Sequence, residues 1–103
     1  MIKVSVLYPK QEGSHFDMDY YCATHIPMAQ RLLAPAIKGI AVEQGICGNT
    51  PDSPPTYAAM GHLFFESLDA FLGVFVPNAT TLGDDIPKYT NVKPTIQISE
   101  VKI

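Results

Sequence analysis

With 103 residues and a mass of 11.3 kDa, the chain has room for one core, and we expect a single domain over residues 1–103. Hydrophobic residues make up 47% of the chain and charged residues 17%, a balance that is typical of a compact globule and excludes a disordered chain. The net charge of -3, with the seven Lys and Arg residues scattered along the chain, argues against nucleic acid as a partner.

The first half of the chain predicts a strand followed by a long helix. Apolar and polar side chains alternate over residues 2–8, which predicts the strand. The helix is expected from about Asp17, a suitable N-cap, to Ala36, and Phe16 and Tyr21 occupy the two positions of a hydrophobic staple. One face of this helix carries apolar residues at three- and four-residue steps, namely Met18, Tyr21, Cys22, His25, Met28, Ala29, Leu32, Leu33 and Ala36.

His25 lies in the middle of this face, so its imidazole should point inward and needs a partner for each ring nitrogen. Two interpretations stay open: a core histidine with satisfied hydrogen bonds, or a titratable group in a pocket wall. Pro27 has no N–H to donate to the carbonyl of Ala23, and it disfavours helical geometry at Ile26. We therefore expect a kink beside His25, which fits a pocket wall better than plain core.

Three strands and a second helix are predicted in the rest of the chain, with strands over residues 40–47, 57–66 and 95–103 and the helix over residues 67–86. Ser67 suits the N-cap of that helix, which should kink or restart at Pro77. The order β-α-β-β-α-β is the split βαβ arrangement of ferredoxin-like folds. We therefore expect an α+β fold with a four-stranded antiparallel sheet and both helices on one face.

The third predicted strand is apolar on both sides. One side carries Ala59, Leu63 and Phe65, and the other carries Ala58, Met60 and Phe64. Since two helices cover only one face of a sheet, something outside the chain should bury the other face, and a second copy is the simplest candidate. We expect a homodimer that packs sheet on sheet.

His62 lies in the middle of the same strand. If it faces the helices, it could share a cavity with His25 and with the hydroxyl of Tyr20 or Tyr21, a set that suits proton transfer on a small, mostly apolar substrate. If it faces a partner copy, it is structural, and the pattern leaves both placements open. The candidate catalytic residues are therefore His25, Tyr21 and His62, and the candidate substrate contacts are Tyr8, Phe16, Tyr20, Cys22 and Met60.

Other chemistry has little support in the sequence. Cys22 and Cys47 have no Cys-x-x-Cys neighbour, so we expect free buried thiols instead of a disulfide, with a catalytic thiol at Cys22 as the alternative. No metal-ligand spacing and no glycine-rich phosphate loop occurs, so neither a metal nor a nucleotide cofactor is expected. Asp84 and Asp85 look like surface charges.

Apolar runs fall short of the roughly 18 residues of a membrane span, and no signal-peptide pattern occurs, so we expect the cytosol and no membrane contact.

Two segments of the sequence resemble the EthD family. They are Leu7-Tyr8-Pro9 with Phe16-Asp17-x-x-Tyr20-Tyr21-x-x-x-His25-x-Pro27, and Ile86-Pro87-x-Tyr89-Thr90-Asn91 with Pro94, Gln97 and Ser99-Glu100-Val101. The resemblance implies a dimeric α+β barrel and makes Tyr20, Tyr21 and His25 the family-like polar candidates, with Asp17 as a capping residue. His62 matches no family motif.

The family takes its name from a small protein encoded with an oxygenase system that degrades ethyl tert-butyl ether. Relatives with the same fold include muconolactone isomerase and cofactor-independent monooxygenases. Several of those monooxygenases employ a Trp, and this chain has none, which disfavours that activity.

Three functions follow as hypotheses. The first is a cytosolic homodimer with an apolar pocket that acts on a small aromatic or aliphatic catabolic intermediate, with His25 as the general acid/base of an isomerase, lyase or decarboxylase. The second is a binding protein that sequesters or delivers a compound for a partner oxygenase. The third is a ligand-free, stress-related structural dimer, which a filled interior would favour.

Overall fold

The computed structural model describes residues 1–103, and its elements follow the predicted order β-α-β-β-α-β. The strands are β1 (Ile2–Pro9), β2 (Gly39–Gln44), β3 (Tyr57–Phe65) and β4 (Thr95–Glu100). All four belong to one antiparallel sheet with the strand order β2-β3-β1-β4. The α+β fold with a four-stranded antiparallel sheet is thereby confirmed.

The first helical segment begins with the predicted cap. Asp17 is the N-cap, because its Oδ1 accepts a hydrogen bond of 3.0 Å from the backbone N–H of Tyr20. The rings of Phe16 and Tyr21 lie 5.0 Å apart between centroids, as a hydrophobic staple requires. The segment comprises α1 (Met18–Tyr20), a π turn (Tyr21–His25) and α2 (Ile26–Leu33).

The π turn accommodates Pro27. A regular α-helix would need a hydrogen bond from residue 27 to the carbonyl of Ala23, which proline cannot make. In the π turn the N–H of Ile26 reaches back five residues to the carbonyl of Tyr21. The irregularity predicted beside His25 therefore exists, and it takes the form of a widened turn. Tyr21 and His25 are buried on the inner side of this turn, whereas Cys22 is exposed, so the prediction of a buried Cys22 was wrong.

Several predicted elements end earlier than expected, among them the fourth strand, which ends at Glu100 and not at Ile103. The helix ends at Leu33 and not at Ala36, because Ala34 precedes a proline and adopts an extended backbone with ψ of 150°. Strand β2 ends at Gln44, so Cys47 lies in the following loop and is also exposed. Both cysteines are free, but neither is buried as predicted.

The second helical segment is interrupted where Pro77 predicts a restart. Ser67 is its N-cap, since Oγ accepts a hydrogen bond of 3.1 Å from the N–H of Ala70. Pro77 lies in a short 3-10 turn between the two main helices, which confirms the predicted break. The segment comprises α3 (Leu68–Phe75), a 3-10 turn (Val76–Asn78), α4 (Ala79–Asp85) and a second 3-10 turn (Ile86–Lys88). No helix of the chain has the length and apolar character needed to cross a membrane.

The core between the sheet and the helices is divided into two clusters. One, which we call the apolar cluster, consists of Val4, Ala29, Leu33, Phe65, Phe71 and Leu82. The other, which we call the tyrosine cluster, consists of Tyr8, Tyr21, Ile26, Ala59, Tyr89 and Val92. Partly buried Val6 of β1 packs against both clusters. The two halves of the core therefore differ in polarity.

The opposite face of the sheet, called the open face below, has no helix over it. The strand register places Ser5 beside His62, Leu7 beside Met60 and Lys3 beside Phe64 on this face. These three β3 side chains are only half-buried. His62 lies 2.9 Å from the hydroxyl of Ser5 through Nδ1 and 3.2 Å from a carboxylate oxygen of Glu43 through Nε2. Because it faces away from the helices, His62 does not share a cavity with His25.

Candidate functional site

A cavity of about 390 Å³ lies between the apolar cluster and the tyrosine cluster. Of the 20 residues that line it, only Tyr8, Tyr21 and His25 have polar side chains. Ile96 and Ile98 of β4 belong to the lining and are 56% and 41% exposed, so the cavity reaches the surface beside β4. The volume lies near the lower end of the range of about 300–1,000 Å³ that is usual for small-molecule sites.

The imidazole of His25 is held by a buried carboxylate from the second helical segment. Nδ1 of His25 lies 2.9 Å from Oδ2 of Asp85. The hydroxyl of Tyr20 donates to Oδ1 of Asp85 at 2.8 Å, and Nζ of Lys88 lies 3.6 Å from the same oxygen. Burial acts to raise the pKa of the Asp85 carboxyl, but the hydrogen bonds from His25 and Tyr20, together with the nearby charges, hold that pKa below its ordinary value. Asp85 is therefore a carboxylate at neutral pH.

Asp85 was predicted to be a surface charge, and this was wrong, because the residue is only 7% exposed. The sequence carried a signal that could have identified it. Asp85 follows buried Leu82 by three positions, so both residues lie on one helical face. A lone acidic residue on a buried face needs a partner, and His25 supplies it.

Three tyrosines surround the other side of the His25 ring. The hydroxyls of Tyr8 and Tyr89 lie 2.6 Å apart, and the hydroxyl of Tyr89 lies 3.5 Å from Nε2 of His25. The ring of Tyr21 is nearly parallel to that of His25, with centroids 5.6 Å apart. Burial is the main cause that raises the pKa of the Tyr8, Tyr21 and Tyr89 phenols above the ordinary value. At physiological pH they are uncharged hydroxyl groups.

The two nitrogens of His25 therefore have different environments. Nδ1 is bonded to Asp85, which makes Nε2 the acceptor nitrogen of the neutral ring. The only polar neighbour of Nε2, Tyr89, lies at 3.5 Å, beyond the usual range of about 2.7–3.2 Å for a nitrogen–oxygen hydrogen bond. A carboxylate–imidazole pair of this kind can take a proton at Nε2, because the carboxylate stabilises the imidazolium that forms.

The structure brings together only part of the predicted site. Tyr8, Tyr21 and His25 line the cavity. The remaining candidates lie elsewhere: Phe16 packs behind Tyr8, Tyr20 bonds to Asp85, Cys22 is exposed, and Met60 and His62 are on the open face. Asp85 and Tyr89 are the site residues that the sequence-based candidates missed. No cluster of three or more His, Cys, Asp or Glu side chains is arranged to hold a metal ion.

Acid should destabilise the protein through Asp85. A carboxyl whose pKa is lowered by folding contributes stability above the ordinary value of 3.8, and this contribution is lost as the pH falls below that value through the folded-state pKa. We expect the free energy of unfolding, measured by urea denaturation from neutral pH into acid, to fall less steeply in Asp85→Asn than in the parent. Asp84→Asn, at the exposed neighbouring position, is the matched control and should follow the parent. Parallel curves for Asp85→Asn and the parent would contradict the coupling to His25.

Comparison with known proteins gives a consistent result. The family model described as the EthD domain matches residues 13–92. The crystal structure of an EthD-like protein from Ralstonia eutropha JMP134 is 37% identical with a TM-score of 0.94, over 99% of this chain and 92% of that one. An ethyl tert-butyl ether degradation (EthD) family protein from Bacillus halodurans C-125 is 19% identical with a TM-score of 0.75, over 99% of both chains, which is a likeness of fold. No curated protein matches the sequence.

Proposed function

Because this chain belongs to the EthD family, we propose that it is a small cytosolic homodimer whose cavity binds an aromatic or aliphatic catabolic intermediate and acts on it through His25. His25 would be the general acid/base of an isomerase, lyase or decarboxylase type of reaction. One observation carries the proposal. His25 is the only basic side chain in a lining whose other polar side chains are Tyr8 and Tyr21, and Asp85 fixes the orientation of its ring.

The proposed chemistry uses the two sides of the His25 ring. Nε2 takes a proton from the ligand, and the Asp85 carboxylate stabilises the imidazolium. The tyrosine hydroxyls nearby can donate a hydrogen bond to a ligand oxygen that gains charge in this step. His25 then returns the proton to another ligand atom, which gives an isomerisation when no bond to a leaving group breaks.

The second copy would pack on the open face. Leu7, Met60 and Phe64 are half-buried apolar side chains there, and no element of this chain lies over them. Two sheets that pack face to face would remove this surface from water. The observation that supports this part of the proposal is that β3 carries apolar side chains on both faces of the sheet.

Delivery of a ligand to a partner oxygenase is the second candidate function. The observation that favours it is the small number of polar groups in the lining, since storage of an apolar compound needs no more than such a surface. A ligand-free structural dimer is disfavoured, because packed interiors have few voids larger than a water molecule and this cavity has about 390 Å³.

Two helical glycines provide a matched test of the cavity. A Cβ added at Gly83 or at Gly73 would meet nothing within 4 Å, but only Gly83 lines the cavity. Both replacements with Leu should preserve the helices, since Leu is the better helix former by under about 1 kcal/mol. We expect Gly83→Leu to lose binding of a two-ring probe such as 2-naphthol, measured by fluorescence titration, and Gly73→Leu to bind like the parent. Equal binding by both variants would place the ligand outside the cavity.

The same probe separates catalysis from delivery. In His25→Asn the side-chain amide can still donate to Asp85, so we expect a stability loss of only about 1 kcal/mol, and saturating 2-naphthol should still fill the cavity. Deuterium incorporation at the ring carbon next to the hydroxyl-bearing carbon of 2-naphthol, followed by NMR in heavy water, requires proton transfer. The exchange should be about 100-fold slower with His25→Asn than with the parent. An unchanged rate would favour the delivery function.

A further inference from the structure

The placement of charge and of hydrogen-bonding atoms around the cavity points to the class of its ligand. We infer that the cavity takes an uncharged compound with an apolar body and a hydroxyl group at one end, a phenol or an enol, and that it discriminates against carboxylates and phosphates. This inference rests on the proposed function, because it names the ligand of the same cavity.

The first step is the absence of a cation from the lining. None of the 20 lining residues is Lys or Arg. The charged group next to the lining is negative: it is the Asp85 carboxylate, 2.9 Å from His25. Lys88 lies on the far side of this carboxylate with its side chain in solvent. An anionic ligand would therefore lose its hydration, gain no free cation and face a buried carboxylate behind the imidazole.

The second step is the polarity of the two ends. The side chains that the cavity takes from the apolar cluster, among them Phe71 and Leu82, carry no polar atom. Those that it takes from the tyrosine cluster include Tyr8 and Tyr21, and His25 stacks on Tyr21 at the same end. A ligand with its polar group at one end and a hydrocarbon body at the other matches this gradient.

The third step distinguishes a hydroxyl from other neutral oxygen groups. In the neutral ring, Nε2 of His25 is an acceptor with one long contact, 3.5 Å from the hydroxyl of Tyr89, whereas the hydroxyls of Tyr8 and Tyr89 bond to each other at 2.6 Å. A ligand group that donates to Nε2 at a shorter distance would complete this network. A hydroxyl group can donate to Nε2 and accept from a tyrosine, but an ether or a ketone can only accept. A site with this arrangement rejects an analogue that lacks the donor.

Three two-ring probes test the inference at neutral pH by fluorescence titration: 2-naphthol, its methyl ether 2-methoxynaphthalene, and 2-naphthoate. We expect 2-naphthol to bind the parent at least about tenfold more tightly than either of the others. His25→Asn should reduce the preference for 2-naphthol over the ether to less than about twofold. A lysine at the exposed mouth, in Ile98→Lys, should raise 2-naphthoate affinity by about tenfold.

Each other result has a distinct meaning. Binding of 2-naphthoate or of the ether as tight as that of 2-naphthol, and lost in Gly83→Leu, would overturn the ligand class and leave the cavity function standing. Equal 2-naphthol preference in the parent and in His25→Asn would overturn the role of Nε2 as the acceptor. Absence of binding for all three probes would overturn both this inference and the proposed function.

Discussion

Phe65→Asp should give no folded protein, whereas Phe64→Asp should give a folded monomer. Phe65 is fully buried in the apolar cluster, with its ring 5.0 Å from that of Phe71. The substitution removes a large core side chain, which costs about 3–5 kcal/mol, and buries a carboxylate that has no partner. A small domain has a total stability of about 5–15 kcal/mol, so the sum is enough to unfold it.

Phe64 is the matched control, because it is the adjacent residue on the open face and is only half-buried. A carboxylate there stays hydrated in a single copy and is buried only if a second copy packs on the sheet. Far-ultraviolet circular dichroism reports folding, and sedimentation velocity at micromolar concentration reports assembly. A folded Phe65→Asp would contradict the assignment of the core, and a monomeric parent would contradict the proposed homodimer.

Alkali should unfold the protein cooperatively. Burial raises the pKa values of the Tyr8, Tyr21 and Tyr89 phenols above the ordinary 10.0. A group whose pKa is raised by folding contributes stability that is complete below the unfolded value and is lost as the pH rises above it. Above about pH 10 these phenols lose their protons more readily in the unfolded chain than in the folded one, so the free energy of unfolding falls as the pH rises. We expect tyrosinate absorbance and the loss of circular dichroism to rise together in one transition.

Tyr8→Phe provides the check on this interpretation. This variant has one fewer buried phenol, so its free energy of unfolding should fall less steeply with pH above pH 10. The slope should be smaller than that of the parent by up to about 1.4 kcal/mol per pH unit. The loss of the 2.6 Å hydrogen bond to Tyr89 lowers stability at neutral pH, so the slope and not the midpoint is the quantity to compare. Tyrosinate absorbance that develops fully before the circular dichroism changes would show that the cluster is open to solvent.

The features that sequence reasoning predicted correctly depend on neighbours along the chain. The cap at Asp17, the cap at Ser67 and the restart at Pro77 each follow from residues within one helical turn. The alternation in β1 likewise needs no knowledge of the partner strand. Local signals of this kind were enough to give the order of elements and the sheet.

The features that sequence reasoning missed depend on distant partners or on a change of helical period. Cys22 would lie on the apolar face of a regular α-helix, but residues 21–25 form a π turn and Cys22 is exposed. Asp85 has its partner His25 at a distance of 60 positions, and Asp84 beside it looks equivalent in sequence. The face of His62 could not be predicted, because β3 is apolar on both sides and its register with β1 decides the matter.

The hydrogen bond between Tyr8 and Tyr89 joins positions 81 residues apart, and β1 pairs with both β3 and β4. During synthesis the ribosome therefore releases Tyr8 and His25 long before the partners that complete their environment. Contacts of such long separation carry a large loop-closure cost and form late in folding. A ligand of the kind proposed would contact segments made early and late in synthesis, so its binding would stabilise the finished protein against unfolding.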